Sequence, residues 1–117
     1  MMPSTKNLRE RIQDMGTKAT EALDVSFDEL PNYLYARHSV YMDVDGLSFY
    51  ITDANDKYWR AQDTSQFNAK GHYVDASELV PTLSEFLGLP FVNGESVKDA
   101  FSRSTFYASE KPQEATS

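Results

Sequence analysis

The chain has 117 residues, 18 acidic and 11 basic side chains, and no cysteine. This length predicts a single domain that buries about two-thirds of the surface of its unfolded chain. The lack of cysteine excludes a disulfide scaffold, a thiolate nucleophile and a thiolate metal centre. The net charge of −7 argues against direct binding to nucleic acid or to an anionic membrane.

Membrane insertion and secretion are also disfavoured. No apolar stretch approaches the roughly 20 residues that span a bilayer. The first ten residues turn polar at once and lack the apolar region of a signal peptide. We therefore expect a cytoplasmic protein without membrane attachment.

The first predicted element is an amphipathic helix near the N-terminus. Its apolar residues recur at helical spacing and form one stripe: Leu8, Ile12, Met15, Ala19 and Leu23. Ser4 or Thr5 can cap its start. Gly16 lies within the stripe and disfavours a helix by about 1 kcal/mol relative to alanine, so two shorter helices are the alternative.

A second helix is predicted from about Phe27 to Arg37. Ser26 and Glu29 have the spacing of a capping box, in which each side chain accepts a hydrogen bond from the other residue's backbone N–H. Pro31 falls late in the first turn, where its missing N–H begins to matter. We therefore expect this helix to be short or distorted.

From His38 the apolar period changes to that of a β-strand, and a hairpin follows. Asp45-Gly46 is a strong signal for a type I′ turn, because both central residues need positive φ. Such a turn opposes three apolar pairs that share one face: Val44 with Leu47, Met42 with Phe49, and Val40 with Ile51. The opposite face carries the alternate pairs: Tyr41 with Tyr50, and Asp43 with Ser48.

A third strand is predicted after a second turn at residues 53–56. A three-residue loop, Ala54 to Asp56, places Trp59 on the core face opposite Ile51. A four-residue loop would expose Trp59, which is less favourable because its apolar surface would remain in water. His72 to Val74 is predicted to form a fourth, short strand.

Two further helices are predicted after these strands. The first is capped by Asp75 or Ser77, ends at Gly88, and has an apolar face made of Leu79, Val80, Leu83, Phe86 and Leu87. The second begins after Asn93-Gly94 and places these residues on one side: Val97, Ala100, Phe101 and Ser104.

These elements predict an α+β fold. A small antiparallel β-meander of three to four strands, over about residues 38–75, packs against N-terminal and C-terminal helices. Residues 1–107 form the single domain, and residues 108–117 form a disordered polar tail.

Two histidines, His38 and His72, are the candidates for catalysis. The nearest polar neighbours, Ser39 and Asp75, fall on opposite faces of the predicted strands from their histidines, so no nucleophile and base come together. We therefore predict no catalytic residue and no enzyme. A small-ligand-binding protein or an enzyme that uses His38 or His72 is retained as an alternative.

No metal or cofactor site is predicted. The acidic clusters at residues 43–46 and 53–56 resemble calcium loops, but both lack the acidic residue that such a loop requires eleven positions after its first ligand. Both clusters also coincide with predicted turns. The five glycines are isolated and form no phosphate-binding loop.

We call the second face of the predicted sheet the tyrosine face. It is predicted to carry Tyr41, Tyr50, Tyr58, Arg60 and Gln62. Tyrosine and arginine are enriched at protein interfaces because they combine a large contact area with a polar end. We interpret the chain as a non-catalytic protein-binding module: an adaptor, a regulator or an inhibitor. Its partner is another protein or a second copy, and the alternative is that a helix of the same domain covers this face.

The acidic side chains suggest a second alternative. Residues 21–63 carry three basic and nine acidic side chains. Asp43 and Asp45 project about 6.6 Å apart along a strand, a spacing comparable with that of neighbouring phosphates. The chain could therefore mimic nucleic acid and inhibit a DNA- or RNA-binding enzyme, so Asp43 and Asp45 join the predicted partner-binding residues.

Overall fold

The computed structural model describes residues 17–55 and 57–110. Within these residues the fold is α+β and mostly β: a single antiparallel sheet has the strand order β1-β6-β2-β3-β4-β5. The strands are β1 (Thr17–Ala22), β2 (Ser39–Val44), β3 (Leu47–Ala54), β4 (Tyr58–Phe67), β5 (Tyr73–Asp75) and β6 (Thr105–Glu110). The described helices are α1 (Leu30–Arg37), α2 (Leu83–Leu87) and α3 (Val97–Ala100). None of them is long and apolar enough to cross a membrane.

The β2–β3 hairpin has the predicted register. Val44 opposes Leu47, and Tyr41 opposes Tyr50. Asp45 has a φ of 53° and the glycine that follows it a φ of 81°. These are the positive values that a type I′ turn requires, so the predicted turn and the predicted division of side chains between two faces are both confirmed.

The loop between β3 and β4 starts one residue later than predicted. β3 extends to Ala54 and β4 begins at Tyr58, so Trp59 opposes Asp53, two residues from its predicted partner. Asn55 takes the positive φ, 58°, at the start of this turn. Because side chains alternate with a period of two, a shift of two residues keeps Trp59 on the core face, where it is buried.

The prediction of an N-terminal helix is wrong over the described part of that segment. Residues 17–22 form β1, which pairs with β6, while residues 1–16 lie outside the described residues. Thr17 and Thr20 are β-branched, and no long apolar side chain occurs within β1. Pairing with β6 satisfies backbone groups on one side of this edge strand, and this tertiary contact outweighs the weak helical preference of the segment.

The described chain ends in a strand and not in the predicted helix. β6 lies between β1 and β2 and pairs with both of them. Residues 108–110, assigned by sequence to a disordered tail, belong to this strand, and residues 111–117 lie outside the described residues. Phe106 is buried in the core, so β6 contributes to the fold both by hydrogen bonding and by packing.

Helix α1 ends at Arg37 as predicted but begins later than Phe27. Ser26 N–H donates to Glu29 Oε1 at 2.9 Å, and Glu29 N–H donates to Ser26 Oγ at 3.2 Å, which completes the predicted capping box. These bonds close a turn that precedes the helix. Pro31 then occupies the first turn of α1, where a missing N–H costs little.

Helix α2 begins after Pro81 and not near Asp75. Asp75 belongs to β5, and the Ser77 hydroxyl accepts a hydrogen bond from a backbone N–H of β4 at 2.9 Å. Thr82 caps the helix by accepting from the Glu85 N–H at 3.1 Å. The proline cannot donate within a helix that starts earlier, which explains the delayed start.

All three described helices pack on the same side of the sheet. Their buried residues belong to one apolar cluster with the core face of the sheet: Leu30, Leu34, Leu83, Phe86, Leu87, Val97 and Ala100 from the helices, and Val40, Met42, Ile51, Trp59, Ala61 and Phe106 from the strands. Consequently, no described helix covers the tyrosine face.

Candidate protein-binding site

The register places six of the seven predicted partner-binding residues on the tyrosine face: Tyr41, Asp43, Tyr50, Tyr58, Arg60 and Gln62. The seventh, Asp45, lies in the β2–β3 turn. The shared face follows from the alternation of side chains along each strand.

Four aromatic rings follow one another across the tyrosine face, and we call them the aromatic row: Tyr41, Tyr50, Tyr73 and Phe67. Ring centroids are 4.8 Å apart for Tyr41 and Tyr50, and 5.7 Å apart for Tyr50 and Tyr73. Tyr73 and Phe67 follow at 5.3 Å. These separations are typical of favourable aromatic pairs, so the row forms a continuous surface from β2 to the β4–β5 hairpin.

Solvent exposure increases along the aromatic row. Tyr41 is 2% exposed, Tyr50 is partly buried, and Phe67 is 58% exposed. Tyr58, at the start of β4, adds a ring that is 41% exposed. The inner rings therefore form a fixed base, and the outer rings offer contact area to a partner.

The hydroxyl of Tyr41 is held at the inner end of the row. Its oxygen lies 3.3 Å from the hydroxyl oxygen of Tyr73. Burial, and then this hydrogen bond, raise the pKa of Tyr41 well above its ordinary value. Tyr41 consequently remains a neutral phenol, and its contact with Tyr73 joins β2 to β5 across two intervening strands.

A polar group adjoins the aromatic row. Gln62 is buried and donates to Asp75 Oδ1 at 3.1 Å and to the Tyr73 carbonyl oxygen at 3.3 Å. Arg60 Nη1 lies 3.6 Å from Asp75 Oδ1, which is longer than a hydrogen bond. Arg60 Nε is buried and has no hydrogen-bond partner among the described residues. The guanidinium of Arg60 is thus incompletely paired.

A shallow cavity of about 250 Å³ opens beside Arg60. Its wall is mainly polar and is formed by side chains of β4, β5 and the turn between them: Arg60, Gln62, Asn68, His72, Tyr73, Val74 and Asp75. His72, which lines this cavity, therefore lies at the margin of the tyrosine face.

The charges on the tyrosine face largely cancel. Lys18 Nζ lies 2.7 Å from Asp43 Oδ2 and 4.6 Å from the centre of the Tyr107 ring. Arg60 lies beside Asp75. The four charged side chains that the register places on this face therefore form two opposite pairs, in a chain whose net charge is −7.

Asp45 is also neutralised, but away from the tyrosine face. Arg103 Nε and Nη2 donate to its carboxylate at 2.9 to 3.0 Å, and Arg103 contacts Glu95 as well. The hydrogen bonds from Arg103 hold the pKa of Asp45 below its ordinary value. The two carboxylates that suggested mimicry of nucleic acid, those of Asp43 and Asp45, are therefore both engaged by cations of the same chain.

His38 and His72 are both exposed and lie in different parts of the fold. His38 Nδ1 is 2.6 Å from Asp53 Oδ2, a partner on the neighbouring strand that sequence reasoning missed. The residues at 17–55 and 57–110 contain no cluster of three or more histidine, cysteine or acidic side chains able to hold a metal ion.

His38→Ala is expected to be less stable than His38→Gly by about 1 kcal/mol. His38 ends α1 with a φ of 67°, a left-handed conformation that alanine resists and glycine adopts freely. Both substitutions remove the contact with Asp53, so that contact cancels from their difference, which reports the backbone conformation at this position. Urea unfolding of both variants measures it, and an alanine variant at least as stable as the glycine variant would contradict the observed conformation.

Sequence reasoning also missed Tyr73 and Phe67 as members of the site. Residues 63–66 are polar and resemble a loop, yet β4 continues through them to Phe67. The register between β4 and β5 shifts across this stretch. The available signal was the turn at Asn68, whose N–H donates to the His72 carbonyl at 2.8 Å and returns the chain so that Tyr73 faces Phe67.

Comparisons with protein-family models, with curated proteins and with solved structures find no match for this chain. The properties of the tyrosine face are therefore inferred from the residues of this chain alone. They are aromatic contact area with polar ends, nearly balanced charge, and the lack of a covering helix within the described parts of the chain.

Proposed function

We propose that this chain is a small non-catalytic protein-binding module, an adaptor, regulator or inhibitor, that contacts its partner through the tyrosine face. The observation that supports this most strongly is the aromatic row on a side of the sheet that no described helix covers. Tyrosine gives a large, rigid contact area at low cost in conformational entropy. Arginine is the other residue type that dominates binding energy at interfaces.

The packing beneath the exposed rings supports the same function. Tyr41 and Gln62 are almost fully buried and are hydrogen-bonded to Tyr73. Because these contacts hold Tyr73, against which Phe67 packs, less side-chain entropy is lost when a partner binds at this part of the face. A preorganised aromatic surface of this kind favours specific binding.

The electrostatics favour a protein partner. A protein that binds nucleic acid directly neutralises phosphates with free cations, whereas Lys18 and Arg60 each lie beside a carboxylate. The alternative of nucleic-acid mimicry loses support because Asp43 and Asp45 are engaged by cations. A ligand-binding role for His72 keeps the support of the shallow cavity, which His72 lines with Tyr73 and Asp75, although both histidines are exposed.

Tyr50→Ala is expected to reduce capture of the partner by at least about tenfold, because truncating an aromatic hot spot costs more than about 1.4 kcal/mol. Arg60→Ala is expected to act in the same direction. Tagged wild-type and variant chains are used to purify bound proteins from the host, and the captured protein is quantified by mass spectrometry.

The matched control for this experiment is Tyr35→Ala. Tyr35 is 58% exposed on α1, on the helix side of the sheet, and its removal is expected to leave capture unchanged. Circular dichroism establishes that each variant is folded. Equal capture by folded wild-type and Tyr50→Ala chains would contradict the proposed function.

A further inference from the structure

We infer that the occupant of the tyrosine face is a second copy of this chain, bound about a two-fold axis that pairs Arg60 of each copy with Asp75 of the other. This inference rests on the proposed function, because it names the partner of the same face. It is carried by the incomplete pairing of Arg60, the self-complementary arrangement of the two charges, and the position of the axis that they imply.

Arg60 has more hydrogen-bond donors than the described residues satisfy. Its nearest carboxylate oxygen, Asp75 Oδ1, is 3.6 Å away and already accepts from Gln62 at 3.1 Å. Arg103, by contrast, donates to Asp45 at 2.9 to 3.0 Å. A guanidinium pairs best with a carboxylate that accepts two parallel hydrogen bonds. Because Nε is buried and the side chain is 27% exposed, a carboxylate from outside the chain would pair with the terminal Nη groups of Arg60.

Asp75 can supply that carboxylate to another molecule. Its side chain is 51% exposed and lies on the same face as Arg60, whose side chain is 27% exposed. A weakly paired guanidinium and an exposed carboxylate thus lie side by side. In a two-fold contact, residue pairs are reciprocal, so an axis that brings Arg60 to Asp75 of a second copy also makes the converse pair.

The register places this axis across the centre of the tyrosine face. Gln62 opposes Asp75 on β5 and Tyr50 on β3, and Arg60 is two residues from Gln62 along β4. We take a flat lattice with strands about 4.8 Å apart and about 6.8 Å for two residues. The two-fold axis lies parallel to the sheet and bisects the segment from Arg60 to Asp75 at a right angle. On this lattice it passes within about 2 Å of Gln62 and Tyr50. Tyr50 of one copy therefore faces Tyr50 of the other.

The balance of charge also selects this side of the sheet. Each copy has a net charge of −7, so two copies repel each other over most of their surfaces. On the tyrosine face, however, Lys18 and Asp43 form one opposite pair and Arg60 and Asp75 form the other. Contact between two tyrosine faces therefore adds little unfavourable charge.

The size of the face predicts a weak dimer. Five strands, β6 to β5, make it about 24 Å wide, and three rows of side chains make it about 20 Å long, or on the order of 500 Å² per copy. Stable interfaces bury about 800 Å² per partner. We therefore expect self-association that depends on concentration rather than a permanent dimer.

Sedimentation velocity of charge-reversal variants tests this inference. The wild-type chain is expected to sediment faster as its concentration rises about a hundredfold, as a weak dimer does. Arg60→Asp alone and Asp75→Arg alone are expected to remain monomeric, because each places like charges together at both contacts. An equimolar mixture of the two variants is expected to dimerise, because each contact then joins an aspartate to an arginine.

Lys98→Asp is the matched control, because it changes the net charge as Arg60→Asp does. Lys98 is exposed on α3, on the helix side of the sheet, and its reversal should leave self-association unchanged. Circular dichroism establishes folding, and dimerisation of the mixture is itself a test that both charge-reversal variants are intact.

Two outcomes overturn the inference: a wild-type chain that stays monomeric over the whole concentration range, or folded charge-reversal variants whose mixture fails to dimerise. Identifying the protein that the tagged chain captures from the host distinguishes a failure of this inference from a failure of the proposed function. The inference predicts that the captured protein is an untagged copy of this chain. Capture of a different protein by a monomeric chain, lost in Tyr50→Ala, would overturn the inference and leave the proposed function standing.

Discussion

Replacing Phe86 by alanine is expected to lower the free energy of unfolding by about 3–5 kcal/mol. Phe86 is fully buried in α2, and its ring stacks on that of Phe91 with centroids 5.5 Å apart. Truncation removes this apolar contact and leaves a cavity between α2 and the sheet. Since domains of this kind have a total stability of about 5–15 kcal/mol, the variant loses a large part of it.

Urea unfolding monitored by fluorescence measures this loss, because Trp59 is the single tryptophan and is buried on the core face. The matched control is Phe67→Ala, which removes the same side chain from a position that is 58% exposed. We expect the control to change stability by less than about 1 kcal/mol. Equal losses at Phe86 and Phe67 would contradict the placement of the core on the helix side of the sheet.

Raising the pH above about 10 is expected to destabilise the fold through Tyr41. Burial and the hydroxyl of Tyr73 raise the pKa of Tyr41 in the folded chain. The unfolded chain therefore loses this proton at a pH where the folded chain still holds it. The stabilising effect is complete below the ordinary tyrosine pKa and falls by at most about 1.4 kcal/mol for each pH unit above it.

Tyr41→Phe is expected to weaken this dependence. At neutral pH the variant loses about 1 kcal/mol with the hydroxyl contact, and above pH 10 its stability falls less steeply than that of the wild-type chain. Urea midpoints across this pH range test both effects. Tyr58→Phe removes the hydroxyl of a tyrosine that is 41% exposed and is the matched control. An unchanged slope in Tyr41→Phe would contradict the burial of this phenol.

The β2–β3 hairpin was predictable because its determinants are adjacent in the chain. Asp45 and Gly46 accept the positive φ that the turn needs, and period-two alternation on either side specifies which residues are buried. Local turn chemistry and burial therefore agree on one register. This agreement also placed Tyr41 opposite Tyr50, which is the part of the candidate site that sequence reasoning found.

The rest of the sheet could not be predicted locally because its pairings are distant in sequence. Residues 17–22 pair with residues 105–110, and neither strand carries a strong apolar alternation of its own. The same reason applies to the candidate site. Tyr73 meets Tyr41 only after β3 and β4 have been placed between them, and the polar stretch of β4 resembles a loop by composition.

Photo-crosslinking from the two sides of the sheet tests the tyrosine face as a docking surface most directly. Phe67 on the tyrosine face and Tyr35 on α1 are both 58% exposed, so a benzoyl-phenylalanine placed at either position is equally accessible. We predict a discrete crosslinked complex from position 67 and none from position 35. Crosslinking from position 35 alone, or equally from both positions, would contradict the assignment of the tyrosine face as the binding surface.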